Sequence, residues 1–414
     1  MSTLTNIQQQ TLPNGLTVVV EEMNWLPSVS FTLLFPFGSA TDPVGQEGSA
    51  TVLSDWIYRG AGAYTSQELS DKLDGLGVRR GGGAGKEYTT LSASLLADSF
   101  PEAIALYADV LRRPRLEPTE FEPARSLAQQ ELASLGDNPT QQLFETLSER
   151  YFLSSHGKSS YGTAQGLAAL SAESVRKDFE ARVAPKGAIL SVAGGISFDK
   201  VWQLAQQCFG NWQGSGVKMP NVSIGQPHQE HITQDTSQVQ IGIAYQAVEP
   251  DAPGWYENAL AIGALSGGMG ARLFTEVREK RGLVYSVAAV SRALRGFGYT
   301  LGYAGTTTER ADETLQVLLD ELRKVSRGIS SAEFERSRTG LLSQLIMQGE
   351  SSGSRAGAMA RDLFLLGSPR AIAEVKAKVE SVTLQGVNDF LQSYQPKFTV
   401  LTLGSKPLSQ VALS

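Results

Sequence analysis

Apolar and polar positions along the first part of this chain follow a strand rhythm before giving way to a helical one. Leu16–Glu22 and Val29–Phe35 are runs of β-branched and apolar residues, bounded by Pro13-Asn14-Gly15 and by Gly38, and they predict strands. Thr65-Ser66-Gln67-Glu68 has the form of a capping box, after which Leu69, Leu73 and Leu76 recur at helical spacing until Gly77 ends the run. Tyr88–Ala97 and Gly187–Gly194 read as further strands, and Pro101–Arg113, Pro118–Leu135 and Phe198–Phe209 as helices. A looser stretch, Gln213–Gln229, carries Gly214, Gly216, Pro220, Gly225 and Pro227 and reads as a linker.

Beyond that linker the pattern repeats. Glu102–Arg113 lines up with Glu313–Lys324, with Asp and Leu at matching places, and Phe121-Glu122 lines up with Phe334-Glu335 at the start of the next helix. A chain of 414 residues is in any case long for a single core. The expected fold is therefore α+β, with two tandem homologous domains at 1–212 and 230–414 joined by a linker at 213–229. Each domain is an antiparallel-rich β-sheet covered by helices.

Composition removes several function classes. The net charge is -6, and no cluster of Lys and Arg offers a phosphate-binding face, so no nucleic-acid partner is expected. No apolar run is long enough to cross a bilayer, and Met1–Gln10 lacks a basic region followed by an apolar one, so no membrane is expected and cytoplasm is the expected compartment. Cys208, the single cysteine, sits in the apolar context Ala205–Phe209 and reads as a core residue. The three histidines, His156, His228 and His231, leave little room for imidazole chemistry. His228-Gln-Glu-His231 reads as an exposed polar segment beside the linker, and His156 as a structural loop residue. Arg80–Glu87 is glycine-rich, but Arg80 and Glu87 stand where a phosphate loop needs Gly and Ser or Thr; a flexible loop is the expectation there.

Three segments carry a resemblance. Leu12–Val20, Phe37-Gly-Ser-Ala-Thr-Asp-Pro43 and Gly48–Gly60 resemble the amino-terminal domain of the M16 peptidases, the family of pitrilysin and the mitochondrial processing peptidase. Active members carry His-x-x-Glu-His in the last segment. Two histidines at i and i+4 bind zinc from one helix face, a downstream Glu is the third ligand, and the motif's own Glu takes a proton from the metal-bound water. Laid on that pattern, Thr51 and Asp55 occupy the histidine positions and Ser54 that of the catalytic glutamate. Glu131 matches the third ligand. The resemblance thus implies a degenerate zinc site at Thr51, Ser54, Asp55 and Glu131, with no metal held by this chain.

In the second domain, Leu265–Phe274 and Arg278–Tyr285 resemble the family segment whose Arg and Tyr, seven positions apart, reach toward substrate and the developing oxyanion. The resemblance implies a zinc-free subunit that pairs with a zinc-bearing M16 subunit, encloses peptide substrates and supplies Arg278 and Tyr285 in trans; zinc is expected in the partner. Gly82, Gly83 and Tyr88 are substrate-binding candidates beside an edge strand placed at Tyr88–Leu95. Gly267 and Gly268 join them because they fall where the processing peptidase's zinc-free subunit has a longer glycine-rich loop. The alternative implied function is a non-enzymatic scaffold, like the core subunits of respiratory complexes.

Overall fold

The computed structural model describes residues 7–413. The first half of the chain forms β1 (Ile7–Thr11), β2 (Thr17–Glu22), β3 (Ser28–Phe35), α1 (Ser49–Trp56), α2 (Ser66–Gly75), β4 (Arg79–Ala84), β5 (Thr89–Leu96), α3 (Phe100–Arg112), α4 (Pro118–Ser134), α5 (Pro139–Tyr151), α6 (Ala164–Ala169), α7 (Ala172–Arg182), β6 (Ile189–Gly194) and α8 (Phe198–Phe209). The second half forms β7 (Gln229–Thr233), β8 (Val239–Ala247), α9 (Trp255–Ser266), β9 (Val284–Leu294), β10 (Phe297–Thr306), α10 (Ala311–Lys324), α11 (Ser331–Gly349), α12 (Ser352–Leu366), α13 (Ile372–Ser381), α14 (Leu384–Ser393) and β11 (Thr399–Gly404).

Both sheets share one topology. The first is ordered β1-β2-β6-β3-β5-β4 and the second β7-β11-β8-β10-β9. A parallel pair, β2 with β6 or β7 with β11, is followed in each by antiparallel pairs out to the far edge. The repeat seen in the helices thus extends to the strands, with β4 and β9 as corresponding edges. The fold is the expected mixed α+β pair of helix-covered sheets.

The division of the chain is not the contiguous one read from the sequence. Among the described residues, one compact unit comprises 7–134, Ser154–Asn221 and Gln348–Ala371; the other comprises Leu135–Leu153, Val222–Met347 and 372–413. Burial explains this. In the first unit, Phe31 of β3 packs edge-on against Phe100 and Tyr107 of α3, at 5.8 and 4.8 Å. The other face of the same sheet presents Val19, Met23, Leu34, Ile189 and Ala193, which α12 covers with Ala356, Met359, Ala360 and Leu363. In the second unit α5 does the same service, setting Leu143, Leu147 and Tyr151 against Ala244, Leu401 and Leu403. Each sheet therefore takes one covering helix from the opposite half of the chain.

Two local expectations need correction. Tyr88–Leu95 is not an edge: β5 lies between β3 and β4, and the edge is Arg79–Ala84, the stretch read as a flexible loop. Likewise, His228–His231 is not a polar surface segment. Gln229–Thr233 pairs in parallel with β11, and His231 Nδ1 lies 2.9 Å from Thr402 Oγ1 in a half-buried position.

Candidate functional site

The first helix begins where a buried carboxylate fixes it. Asp42 accepts hydrogen bonds from the backbone N–H of Gly48 at 2.8 Å and of Ala50 at 2.9 Å, and Arg182 Nη1 donates to it at 2.9 Å. Burial raises the Asp42 carboxyl above its ordinary value, and the Arg182 guanidinium and the two N–H groups oppose that rise. Gly48, at φ +104, turns the chain into α1, and a Cβ there would strike Leu167. With the start fixed, Val52, Leu53 and Trp56 go to the core, and the opposite face of α1 presents Thr51, Ser54 and Asp55.

These three side chains, Glu131 of α4, and Gly82 and Gly83 of β4 line one open groove of about 670 Å³. The four positions matched to a metal site thus stand together in space. Three of the four spend their polar groups locally. Thr51 Oγ1 donates to the Ser160 carbonyl at 2.5 Å, and Ser54 Oγ to the Thr51 carbonyl at 2.8 Å. Asp55 Oδ2 receives Arg59 Nε at 2.5 Å from one turn further along the helix, and Arg59 also lies 3.6 Å from Glu120. Glu131 is exposed. Zinc prefers imidazole and thiolate, so two hydroxyls, a carboxylate neutralised by a guanidinium and a single exposed carboxylate do not fit it. Among the described residues, no group of three His, Cys, Asp or Glu side chains is placed to hold a metal ion. Arg59 escaped the sequence reading, although its i+4 spacing from Asp55 is the signal that finds it.

The groove is bordered by the edge strand itself. Gly82 adopts φ +113, and a Cβ on it would be driven into the Thr90 carbonyl of β5, so only glycine lets β4 lie this close to its neighbour. Tyr88 is directed elsewhere: its ring packs on Phe364 of α12 at 5.2 Å, and it lines a second groove on the opposite face of the sheet. His156 is buried, with Nε2 3.2 Å from Glu87 Oε1 and Nδ1 3.1 Å from Ser154 Oγ; it ties the 155–157 turn to the loop after β4. Cys208 is half-buried on α8, and burial pushes its thiol up, away from thiolate chemistry.

In the second unit, Arg278 lies in a π-helical turn, Phe274–Glu279, and Tyr285 at the start of the edge strand β9. Glu276 pairs with Lys280 at 2.6 Å and Arg281 at 3.1 Å, so the charge run has its own partners. Arg278 is exposed, with its guanidinium 4.9 Å from the centre of the Phe274 ring. Tyr285 is 69% exposed, unusual for a ring in a strand. Gly267 caps the end of α9, donating to the Gly263 carbonyl at 2.7 Å, and Gly268 follows at φ +141 in open space; the pair forms a turn.

Comparison with known families bears on the family and the fold. Residues 17–163 match the insulinase (peptidase family M16) domain, and residues 169–341 match the peptidase M16 inactive domain. The chain belongs to the M16 peptidase family. Among M16 relatives, an uncharacterized zinc protease of Bacillus subtilis is 25% identical over 386 residues, covering 92% of this chain and 94% of that one. A peptidase M16 inactive domain from Pseudomonas fluorescens superposes with a TM-score of 0.88 at 21% identity, covering 99% and 100% of the two chains. A chain of complex III2 from Candida albicans superposes at 0.84 with 17% identity, covering 96% of each. These likenesses establish the M16 fold.

Proposed function

We propose that this M16 chain is the zinc-free subunit of a two-chain metallopeptidase. It pairs with a zinc-bearing M16 subunit, holds extended peptides along the β4 edge, and supplies Arg278 and Tyr285 to the scissile carbonyl. The observation that carries this reading is the state of α1: the polar groups of Thr51, Ser54 and Asp55, the residues the resemblance sets at the motif positions, are engaged in local contacts, while the glycine edge beside them is open. An edge strand offers main-chain hydrogen bonds to any extended peptide, whatever its side chains. Arg278 and Tyr285 support the second half of the proposal, because both donors face solvent instead of being consumed by the fold. Zinc belongs to the partner in this scheme, and no step of hydrolysis runs through this chain alone.

The test is reconstitution. The isolated chain should carry zinc well below one equivalent and cleave nothing. Mixed with an M16 chain that has an intact His-x-x-Glu-His, it should restore peptide cleavage. Arg278→Ala and Tyr285→Phe should then each lower kcat, by about a hundredfold if the group stabilises the oxyanion. Unchanged turnover in both variants defeats the trans-donor assignment, and stoichiometric zinc with chelator-sensitive cleavage by the chain alone defeats the whole reading. A scaffold role, to which the fold shared with the complex III2 chain lends support, instead predicts a stable complex with no proteolysis in any combination.

A further inference from the structure

The face of the first sheet opposite the α1 groove changes character from one side to the other. Over β2, β6 and part of β3 it is apolar and sealed by α12. Toward β5 and β4 it becomes hydroxylic and opens into a second groove of about 650 Å³, with Thr32, Thr90, Ser92 and Ser94 in its wall. Ser30 bridges this wall to α12, its hydroxyl 2.8 Å from that of Ser94 and 2.9 Å from that of Ser352. The groove also contains Arg79, Arg80 and Arg361, and no Asp or Glu lines it. In a chain of net charge -6, a groove wall with cations and no carboxylate is a local reversal of sign.

Two of those cations are uncommitted. Elsewhere on α12, Arg355 is matched with Glu21 at 2.5 Å and Asp362 with Arg370 at 2.7 Å. Arg80 reaches Asp74 at 3.8 Å and Ser70 at 3.1 Å. Among the described residues, neither Arg79 nor Arg361 has a carboxylate within 4.0 Å, and both are exposed. The register β4 keeps with β5 pairs Arg79 with Ser94 and Gly81 with Ser92, so Arg79 and Gly81 share the face of this groove. Gly82 falls on the other face, beside Thr51 and Asp55.

That geometry makes β4 a divider. A strand added along its open edge sends successive side chains to opposite faces. One set enters the α1 groove, and the alternate set passes Gly81, where there is no side chain to obstruct it, toward Arg79 and Arg361. We infer that this second groove selects acidic side chains, Asp or Glu, at alternate positions of the extended peptide bound on β4. The inference rests on the edge-strand reading above and adds to it the class of peptide taken.

The experiment uses the full chain and three fluorescein-labelled decapeptides in which Thr alternates with Glu, Gln or Lys, followed by fluorescence anisotropy. The Glu peptide should bind roughly tenfold tighter than the Gln peptide, the size expected for hydrogen bonds to a charged group. That preference should shrink with added salt. Arg79→Gln with Arg361→Gln should bring the Glu peptide to the Gln level without weakening the Gln peptide, and Arg361→Glu should move the preference toward Lys. Equal binding of Glu and Gln peptides, or a Glu preference that survives the double variant, overturns the acidic specificity. A Gln peptide N-methylated at every second amide tests the edge itself. If it binds as well as the unmodified one, or if no peptide binds at all, the β4 reading fails and this inference with it. Equal, methylation-sensitive binding of Glu and Gln peptides removes the inference alone.

Discussion

At position 55, where the resemblance to active M16 enzymes would place an imidazole, stands a carboxylate whose charge is already answered by Arg59. Together with the Thr51 and Ser54 hydrogen bonds, this makes the contacts of that helix face self-sufficient. A comparable commitment holds the segment that leads to Arg278. Arg272 donates to both carboxylate oxygens of Glu333, at 2.8 and 2.9 Å, while Ser330 donates to the same carboxylate at the start of α11. Burial would push Glu333 up, but these hydrogen bonds and the Arg272 charge outweigh it and hold the group at about 2 against an ordinary 4.5. Because the folded value is the lower one, its contribution to stability is complete above pH 4.5 and lost as pH falls toward 2. Urea unfolding of the wild-type chain should show that decline, and Glu333→Gln should remove this component while lowering stability near neutral pH. An identical acid profile in the variant refutes the assignment.

The elements differ in how clearly the sequence announces them. Phe198–Phe209 and Pro118–Ser134 match the helical periodicity almost residue for residue, and the Thr65–Glu68 capping box is formed. The edge strand β4 was illegible because Arg-Arg-Gly-Gly-Gly-Ala has no apolar alternation and glycine has poor strand propensity. Its identity is set by pairing with β5, which no local pattern records. The same glycines make it vulnerable. Gly82→Ala should cost about 1–3 kcal/mol, the range for a residue forced into a sparsely populated backbone region, and should weaken peptide binding to the full chain. Gly83→Ala meets no neighbouring atom and should be milder. Chemical denaturation of the two variants side by side checks this; equal stabilities would mean that the Thr90 carbonyl does not constrain the edge. The candidate site was legible only through resemblance. Thr51, Ser54, Asp55 and Glu131, which the resemblance names together, line one groove, whereas Arg79 and Arg361 come from chain segments no motif connects.

At the scale of the whole molecule, the repeat was readable and the exchange of helices was not. Two amphipathic helices in the same order reveal a duplication; which sheet the following helix covers depends on tertiary packing. Residues 1–221 alone should therefore leave Val19, Met23, Leu34, Ile189 and Ala193 exposed, and the fragment should bind a hydrophobic dye strongly and associate. Adding the 348–371 peptide should suppress both. A soluble, dye-silent fragment would show that α12 is dispensable. The same exchange governs what a protease can achieve. Cleavage within 213–228, which lacks helix and strand apart from a bridge at Ile224, breaks the backbone between the halves. Yet each product keeps a helix locked into the other's sheet, so the nicked polypeptide runs as two bands under denaturing conditions and as one particle in native buffer.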